Sequence, residues 1–256
     1  MTNNTPLVSV ITPTLNSEKY LSETIKSIFG QTHKNIEHII VDGQSKDNTN
    51  EIINNFGKSK LHTTKIPGMY SAINIGLKKC KGEIICYLNS DDIFANELVI
   101  EKVVAHFNKY PERNWLYGNC EFIDENSLHI KHSKAPPFIY NLFSALPGMY
   151  IFQPATFWRR NIHDQYGYFS EEFKLASDFD FFLRIGKDEI PIRIGGSPLA
   201  KFRVHNKGLS SKYKSIDRSE VKQIKINQGI NNSLIKTLFS KALIKIYNIH
   251  KIFKIH

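Results

Sequence analysis

The sequence predicts an α/β fold with a mixed, mostly parallel sheet and helices on both of its faces. Short apolar segments alternate with amphipathic helical segments four times between Leu7 and Tyr110. The links between them are short, as in parallel strands joined by covering helices. Polar residues follow several predicted strands, and ligands bind beyond the carboxyl ends of strands in such sheets. A ligand site is therefore predicted at one edge of the sheet.

The elements of the first half follow from β-branched runs for strands and apolar residues at helical spacing for helices. In chain order they are Leu7–Thr12, Glu18–Gly30, Ile36–Val41, Asp47–Phe56, Leu61–Ile66, Met69–Cys80, Glu83–Leu88 and Glu97–Tyr110, beginning with a strand. Ser17 or Asn16 is expected to cap the first helix, and Gly30 to end it. Four strand–helix units are therefore expected.

After about residue 114 this alternation stops. Strands are predicted at Trp115–Gly118, Glu121–Ile130, Tyr150–Trp158 and Ile190–Val204, with a short helix from Arg159 and another over Asp178–Gly186. No repeat or low-complexity linker separates the two halves. We therefore expect one domain over residues 1–211, with halves of about 1–113 and 114–211, and a helical extension over 212–256.

The composition is that of a soluble globular protein, with 256 residues, 41% hydrophobic and 23% charged. No apolar run approaches the roughly 20 residues of a membrane span. The first residues have neither the positive cluster nor the apolar core of a secretory signal. The three cysteines lack disulfide or zinc-site spacing, which predicts buried thiols in a reducing compartment. A cytoplasmic protein is expected.

The net charge of +10 is concentrated at the end of the chain. Residues 212–256 contain ten Lys or Arg and two Asp or Glu. Apolar residues recur there at helical spacing, namely Ile235, Leu238, Phe239, Ala242, Ile246, Ile249 and Phe253. A basic amphipathic helix over 221–256 suits an anionic membrane surface or packing on its own domain, and both interpretations stay open. Specific nucleic-acid binding is not expected.

Three acidic features could carry chemistry. Asn89-Ser90-Asp91-Asp92 follows a strand, and divalent cations share such oxygen ligands with substrate phosphates, although ordinary turns have the same composition. Asp42 ends a strand, where it could bind a ribose or a base, or close a βα turn. Asp178 and Asp180 open a helix, where acids stabilise the terminus or one serves as a general base. Asp180 is the better structural candidate.

Five segments carry a family resemblance, and they are Val8–Asn16, Ser27–Thr32, Val41–Thr49, Gly68–Gly76 and Gly82–Asp92. In this order and spacing the chain resembles family 2 glycosyltransferases, whose GT-A fold is Rossmann-like. The resemblance covers roughly Pro6–Ser211 and is closest to bacterial enzymes of O-antigen, capsule or colanic-acid-type polysaccharide synthesis. It implies a nucleotide-sugar half over about 1–113 and an acceptor half over about 114–211.

The resemblance also implies roles for individual residues. The donor nucleotide would contact Thr12, Pro13, Thr14, Asp42, Asn89, Asp91 and Arg203. A Mn²⁺ or Mg²⁺ ion would be held by Asp92, Asp91 and His205, with Asp92 nearer the metal. The acceptor would contact Gln153 and Trp158, and Asp178 would be the catalytic base. Many relatives carry an acid before the Gly-x-Tyr segment and another directly after the Tyr, where this chain has Lys65-Ile66-Pro67 and Ser71.

The expected reaction is an inverting, metal-dependent transfer of a sugar from a nucleotide-sugar donor, with a UDP-sugar favoured. The expected acceptor is a hydroxyl of a lipid-linked oligosaccharide in surface polysaccharide synthesis, at the inner face of the cell membrane. The alternative is a catalytically inactive GT-A-fold adaptor that binds a membrane or polyanion through its basic tail. A nucleotide-binding oxidoreductase is disfavoured because Thr12-Pro13-Thr14 stands where a Gly-x-Gly-x-x-Gly turn belongs.

Overall fold

The computed structural model describes residues 5–145, 149–209, 214–230 and 242. The strands in these ranges are β1 Val8–Thr14, β2 Ile36–Asp42, β3 Lys60–Thr63, β4 Ile84–Tyr87, β5 Ile93–Phe94, β6 Trp115–Gly118, β7 Cys120–Ile123, β8 His129–Ser133, β9 Thr156–Arg159, β10 Ile192–Ile194 and β11 Ala200–Arg203. The helices are α1 Leu21–Phe29, α2 Thr49–Phe56, α3 Met69–Lys79, α4 Val99–Lys109, α5 Tyr140–Ala145, α6 Ile162–Tyr166, α7 Ser177–Gly186 and α8 Lys214–Asn227.

Seven strands form the main sheet in the order β10-β6-β9-β4-β1-β2-β3. The pairs β1–β2, β1–β4, β2–β3 and β6–β10 are parallel, as the alternating pattern predicts. Strand β9 runs antiparallel between β4 and β6, which makes the sheet mixed. The carboxyl ends of β1, β2 and β4 therefore meet at one edge, beside the residues predicted to bind a ligand.

Strand β2 shows why both faces of the sheet need helices. Ile40 packs with Leu21, Ile25 and Ile53 of α1 and α2, while its neighbour Ile39 joins the larger core on the opposite face. Successive side chains of a strand point to opposite faces, so an apolar run must be covered on both. The predicted α/β architecture is confirmed.

A second sheet, of order β5-β11-β7-β8, was not predicted. The predicted strand Glu121–Ile130 is instead the hairpin β7–β8, because Asp124 accepts backbone hydrogen bonds from Asn126 and Leu128 and closes a turn. The predicted strand Ile190–Val204 divides into β10 and β11, which lie in different sheets. Gly196, with a φ of 81°, lies in the bend between them.

Two predictions about local structure are wrong. In the predicted strand Tyr150–Trp158, Gln153–Ala155 forms a 3-10 turn with Pro154 in it, and only β9 is extended. Helix α1 has no side-chain cap, and only the carbonyl oxygen of Ser17 accepts the N–H groups of Tyr20 and Leu21. The Ser17 hydroxyl bonds Ser90 instead, in the acidic loop.

Helix α8 begins the predicted extension and packs on the domain. Val221 and Ile224 are buried in the same core as the main sheet. Burial lowers the pKa of Lys225 to about 8. The described start of the extension therefore packs on its own domain, while the rest of the predicted amphipathic helix, apart from Ala242, lies outside the described residues. The predicted boundaries at 113, 211 and 212 stay predictions.

The structure also bears on the cysteines and on the apolar content of the helices. Cys80, Cys86 and Cys120 are buried free thiols, as expected, and burial raises the pKa of each. Of the helices that the structure describes, none combines the length and the apolar content needed to cross a bilayer.

The fold makes a testable prediction at Gly76, where α3 lies against β1. A Cβ atom there would approach Ile11 Cγ2 to 2.5 Å. Alanine normally stabilises a helix relative to glycine. Here we expect Gly76→Ala to lower the free energy of unfolding by about 1–3 kcal/mol, because overpacking outweighs propensity. Urea denaturation measures it.

Gly195→Ala is the matched control, since a Cβ at Gly195 meets nothing within 4 Å. Equal stability of the two variants would contradict the close approach of α3 to β1.

Candidate active site

The ends of β1 and β2 form one wall of the site. The Thr14 hydroxyl donates to Asp42 Oδ1 at 3.2 Å, and the Ser45 backbone N–H donates to Asp42 Oδ2 at 2.9 Å. Asp42 is fully buried. Its carboxylate therefore fixes the loop after β2 against the end of β1, and the structure brings together the predicted pair Thr14 and Asp42.

Thr12 lies deeper in the same wall. Its hydroxyl pairs with His38 Nε2 at 2.9 Å, beneath the edge of the sheet, and both side chains are buried. Burial lowers the pKa of His38 to about 3, so the ring is neutral. Thr12 and the buried Pro13 thus shape the wall through β1, and the Thr12 hydroxyl is already occupied.

The acidic loop, defined as Asn89–Asp92, is held by helix α1. Thr24, which is buried in α1, donates its hydroxyl to the carbonyl oxygens of Ser90 at 3.0 Å and Asp92 at 2.8 Å. The Ser17 and Ser90 hydroxyls lie 2.7 Å apart. Strand β4 therefore delivers the loop to the edge of the sheet, and α1 fixes its backbone.

Arg203 is buried beside the acidic loop and hydrogen-bonds several segments of the chain. Its backbone N–H donates to Asp92 Oδ1 and its Nε to the Asp91 carbonyl oxygen, both at 2.9 Å. Its Nη atoms donate to Glu23, to Ser127 and to the Asp124 carbonyl oxygen, and the guanidinium lies 4.5 Å from the Tyr20 ring.

The predicted contact of Arg203 with the donor nucleotide stays a prediction, but the structure gives this residue a second role. Its side chain has no exposed area, and its donors are used inside the protein. Arg203 positions the acidic loop.

Asp91 and His205 form the exposed part of the predicted metal site. His205 Nε2 lies 2.9 Å from Asp91 Oδ2, and both side chains retain some solvent exposure. The His205 ring packs on Tyr20, with centroids 5.0 Å apart. An imidazole nitrogen and a carboxylate oxygen this close are a donor set suited to a divalent ion such as Mn²⁺.

Asp92 lies behind this pair. Its side chain is buried, and its Oδ1 already accepts the Arg203 backbone N–H. Burial and the nearby charge of Asp91 raise the pKa of Asp92. Asn89 reaches Asp92 Oδ2 at 3.4 Å and keeps a buried Oδ1 without a protein partner. Asp91 and His205 are thus the more exposed of the predicted metal ligands, and the closer position of Asp92 to the metal stays a prediction.

Asp178 lies in the first turn of α7 and is partly exposed. One carboxylate oxygen accepts the Phe179 N–H at 2.8 Å. The buried Tyr70 hydroxyl donates to the Leu175 carbonyl oxygen at 2.9 Å and lies 3.4 Å from the Asp178 nitrogen. Tyr70, at the start of α3, thus fixes the position of the α7 terminus.

A carboxylate from α8 holds the loop before α7. Glu220 accepts the backbone N–H groups of Lys174 at 2.8 Å, Leu175 at 2.9 Å and Ala176 at 3.0 Å. Asp180, in contrast, pairs with Arg184 Nε at 2.9 Å and accepts from Gln228, so it has the structural role expected from the sequence. The extension therefore fixes the segment that carries Asp178.

Two buried tyrosines connect Asp178 with the acidic loop. Burial raises the pKa of Tyr70, and the Asp178 charge adds to the rise. Burial also raises the pKa of Tyr87, to which the charges of both Asp178 and Asp92 contribute. The charges of carboxylates from α7 and from the acidic loop therefore both act on the buried Tyr87 ring.

Gln153 and Trp158, the predicted acceptor contacts, both lie inside the protein. Trp158 has no exposed surface, and its Nε1 donates to His163 at 2.9 Å within an aromatic core. Gln153 is buried, and its Nε2 donates to the Tyr87 carbonyl oxygen at 2.7 Å. Both residues therefore support β4 and β9, and their contact with an acceptor stays a prediction.

Sequence reasoning missed Glu171. Its carboxylate accepts from Ser71 Oγ at 2.8 Å and from Asn74 Nδ2 at 2.9 Å, and these bonds hold its pKa below the usual range. Ser71 stands where many relatives of the resembled family carry an acid. The loop before α7 therefore brings a carboxylate to that position, and only the tertiary contact reveals it.

Comparison with known proteins agrees with this geometry. The model of the family described as "Glycosyl transferase family 2" matches residues 9–172. An uncharacterized glycosyltransferase of Rickettsia conorii is 34% identical over 220 residues, which are 80% of this chain and 35% of the relative. WfgD of Escherichia coli, a "UDP-Glc:alpha-D-GlcNAc-diphosphoundecaprenol beta-1,3-glucosyltransferase", is 36% identical over 139 residues, or 53% of this chain and 54% of WfgD.

The chain thus spans about a third of the Rickettsia conorii relative and about half of WfgD. Among solved structures, Staphylococcus aureus TarS 1–349 in complex with UDP-GlcNAc has a TM-score of 0.70 at 20% identity, over 94% of this chain and 71% of that one. The Pyrobaculum calidifontis mannosyltransferase PcManGT, in complex with GDP-Man and Mn²⁺, has a TM-score of 0.62 at 16% identity, over 90% of this chain and 66% of that one.

These likenesses confirm the predicted GT-A fold. Because the family model covers more than half of the chain and includes most of β1, the acidic loop and β9, the chain belongs to glycosyl transferase family 2.

Proposed function

We propose that the protein is an inverting, metal-dependent glycosyltransferase that moves a sugar from a UDP-sugar to a hydroxyl of a lipid-linked oligosaccharide. The observation that carries the proposal is the pair of Asp91 Oδ2 and His205 Nε2, which lie 2.9 Å apart after β4 and β11 in a chain of glycosyl transferase family 2. Asp178, at the start of α7, is the second carboxylate of the proposal. One carboxylate segment is suited to the donor diphosphate and the other to the acceptor hydroxyl.

Asp178 supplies the base in this proposal. An ionised carboxylate in the first turn of a helix is stabilised by the helix dipole. It accepts the proton of the acceptor hydroxyl as that oxygen bonds to the anomeric carbon. The bond from that carbon to the diphosphate oxygen breaks, and the nucleoside diphosphate leaves with the electron pair. Attack opposite the leaving group inverts the anomeric centre.

Asp91 and His205 would hold the metal ion, with Asp92 behind them. When bound, Mn²⁺ or Mg²⁺ supplies Lewis-acid stabilisation of charge on the leaving diphosphate. Hydrogen bonds from Thr24 and Arg203 to its carbonyl oxygens fix the acidic loop before the donor binds. A loop fixed before binding loses less conformational entropy when the donor arrives.

The donor and acceptor are proposed from the relatives. WfgD is named for a UDP-glucose donor and a diphosphoundecaprenol-linked acceptor, and TarS was solved with UDP-GlcNAc. We extend a UDP-sugar and a lipid-linked acceptor to this chain, together with a role in O-antigen or capsule synthesis. Action on such an acceptor would place the protein at the cytoplasmic face of the cell membrane, where the basic residues of 221–256 favour anionic lipids.

The base assignment predicts that Asp178→Asn keeps nucleotide binding and loses transfer. The asparagine retains the shape of the side chain but does not take the proton, so the transfer rate should fall by about 10²–10⁴-fold. Single-turnover transfer from a UDP-sugar and calorimetric UDP binding measure the two quantities. The control is Asp164→Asn, an exposed acid on α6. Loss of UDP binding with Asp178→Asn, or unchanged transfer, would contradict the assignment.

The clamp on the loop before α7 predicts that Glu220→Gln impairs transfer without contacting substrate. A glutamine offers one acceptor oxygen to three N–H groups, so we expect about 1–3 kcal/mol less stability. The transfer rate should fall by about tenfold or more as Asp178 shifts, with UDP affinity unchanged.

The matched control for Glu220→Gln is Glu172→Gln, an exposed glutamate of the same loop. If both variants keep wild-type stability and rate, α8 does not position the loop.

A further inference from the structure

Three potential metal ligands gather on the β7–β8 hairpin. They are Glu121 on β7 and His129 and His132 on β8, and their ligand atoms lie within 4.8 Å of one another. Within the described ranges this is the one such group of at least three His, Cys, Asp or Glu residues. It does not include Asp91 or His205, so it is separate from the proposed catalytic metal site.

A β-bulge produces this cluster. Glu121 pairs with His132 and Phe122 with Lys131, but Ile123 then pairs with His129, which leaves Ile130 as an extra residue. Residues three apart on a regular strand point to opposite faces. The extra residue brings His129 onto the face of His132, and the two rings lie 4.5 Å apart. Bulges re-aim side chains in this way, often next to functional sites.

The carboxylate of Glu121 is oriented toward the histidines. Its Oε1 lies 2.8 Å from His129 Nδ1, whereas Lys201 Nζ lies 3.6 Å from the other oxygen, Oε2. Glu121 and the two histidines therefore each offer one ligand atom to a common position.

We propose that Glu121, His129 and His132 form a binding site for a zinc-class transition metal ion, distinct from the divalent ion of the active site. Two imidazoles and a carboxylate are a common ligand set for Zn²⁺, whereas Mg²⁺ prefers oxygen ligands. The sequence predicted no zinc site because the ligands come from two strands and have no characteristic spacing.

A metal ion at this position would affect the active site indirectly, through the contacts of the β7–β8 hairpin with Arg203. The turn between β7 and β8 supplies the Asp124 carbonyl oxygen and the Ser127 hydroxyl that bind Arg203. Arg203 in turn holds the acidic loop. A metal ion that links β7 to β8 would restrict the motion of the turn and of Arg203, which binds the acidic loop. The proposed role of the ion is therefore structural.

The test is Zn²⁺ binding to the tag-free full chain by competition with a chromogenic chelator. Millimolar Mg²⁺ is present to occupy the acidic loop. His132→Ala removes an exposed ligand and should weaken Zn²⁺ binding at one site by at least about tenfold. Removing a residue that only hydrogen-bonds a metal ligand already lowers metal affinity by about that factor. His62→Ala, on β3, and His205→Ala should keep that site. Co²⁺ absorption of the wild type should show a tetrahedral band that His132→Ala loses.

Two results would overturn the proposal. One is the absence of a Zn²⁺ site in the wild type under these conditions. The other is a Zn²⁺ affinity that is the same in the wild type and in His132→Ala, or that falls only in His205→Ala, which would assign the ion to the active site.

Discussion

The buried guanidinium of Arg203 is the interaction on which the site depends. A charged side chain without solvent contact is stable only when each of its donors has a partner. Arg203 meets this condition by joining α1 through Glu23, the β7–β8 turn through Asp124 and Ser127, and the acidic loop through Asp91. The second sheet therefore supports the acidic loop, since β11 carries Arg203 and ends two residues before His205.

A second constraint comes from the far end of the chain. Glu220 accepts hydrogen bonds from three backbone N–H groups in the loop before α7, and the Tyr70 hydroxyl of α3 donates to a carbonyl oxygen of the same loop. Helix α8 thus stabilises the loop before α7 within the domain. The two carboxylate segments of the site are fixed independently, one from α1 and β11 and the other from α3 and α8. Independent anchoring lets donor and acceptor groups be held in line.

Sequence patterns predicted the first half of the fold well because β1, β2 and β4 are buried along almost their whole length and the helices between them each have an apolar face. They failed where local pattern does not decide pairing. The segments Glu121–Ile130 and Ile190–Val204 read as single strands, but Asp124 and Gly196 place turns within them. The acids of the site were found because they follow strands or open a helix. Burial was not visible in the sequence, so the hydrogen bonds that Trp158, Gln153 and Arg203 make inside the protein were not predicted.

Asp91 and His205 are proposed to form a metal-dependent site for one nucleoside diphosphate. The first measurement is calorimetric titration with UDP, GDP and dTDP, each with Mn²⁺ and then with EDTA, on the wild type and on Asp91→Asn. We expect UDP to bind with Mn²⁺, to bind at least about tenfold more weakly with EDTA, and Asp91→Asn to lose that difference. Folded wild-type protein that binds none of the three, or binds UDP equally well in EDTA, would contradict the account.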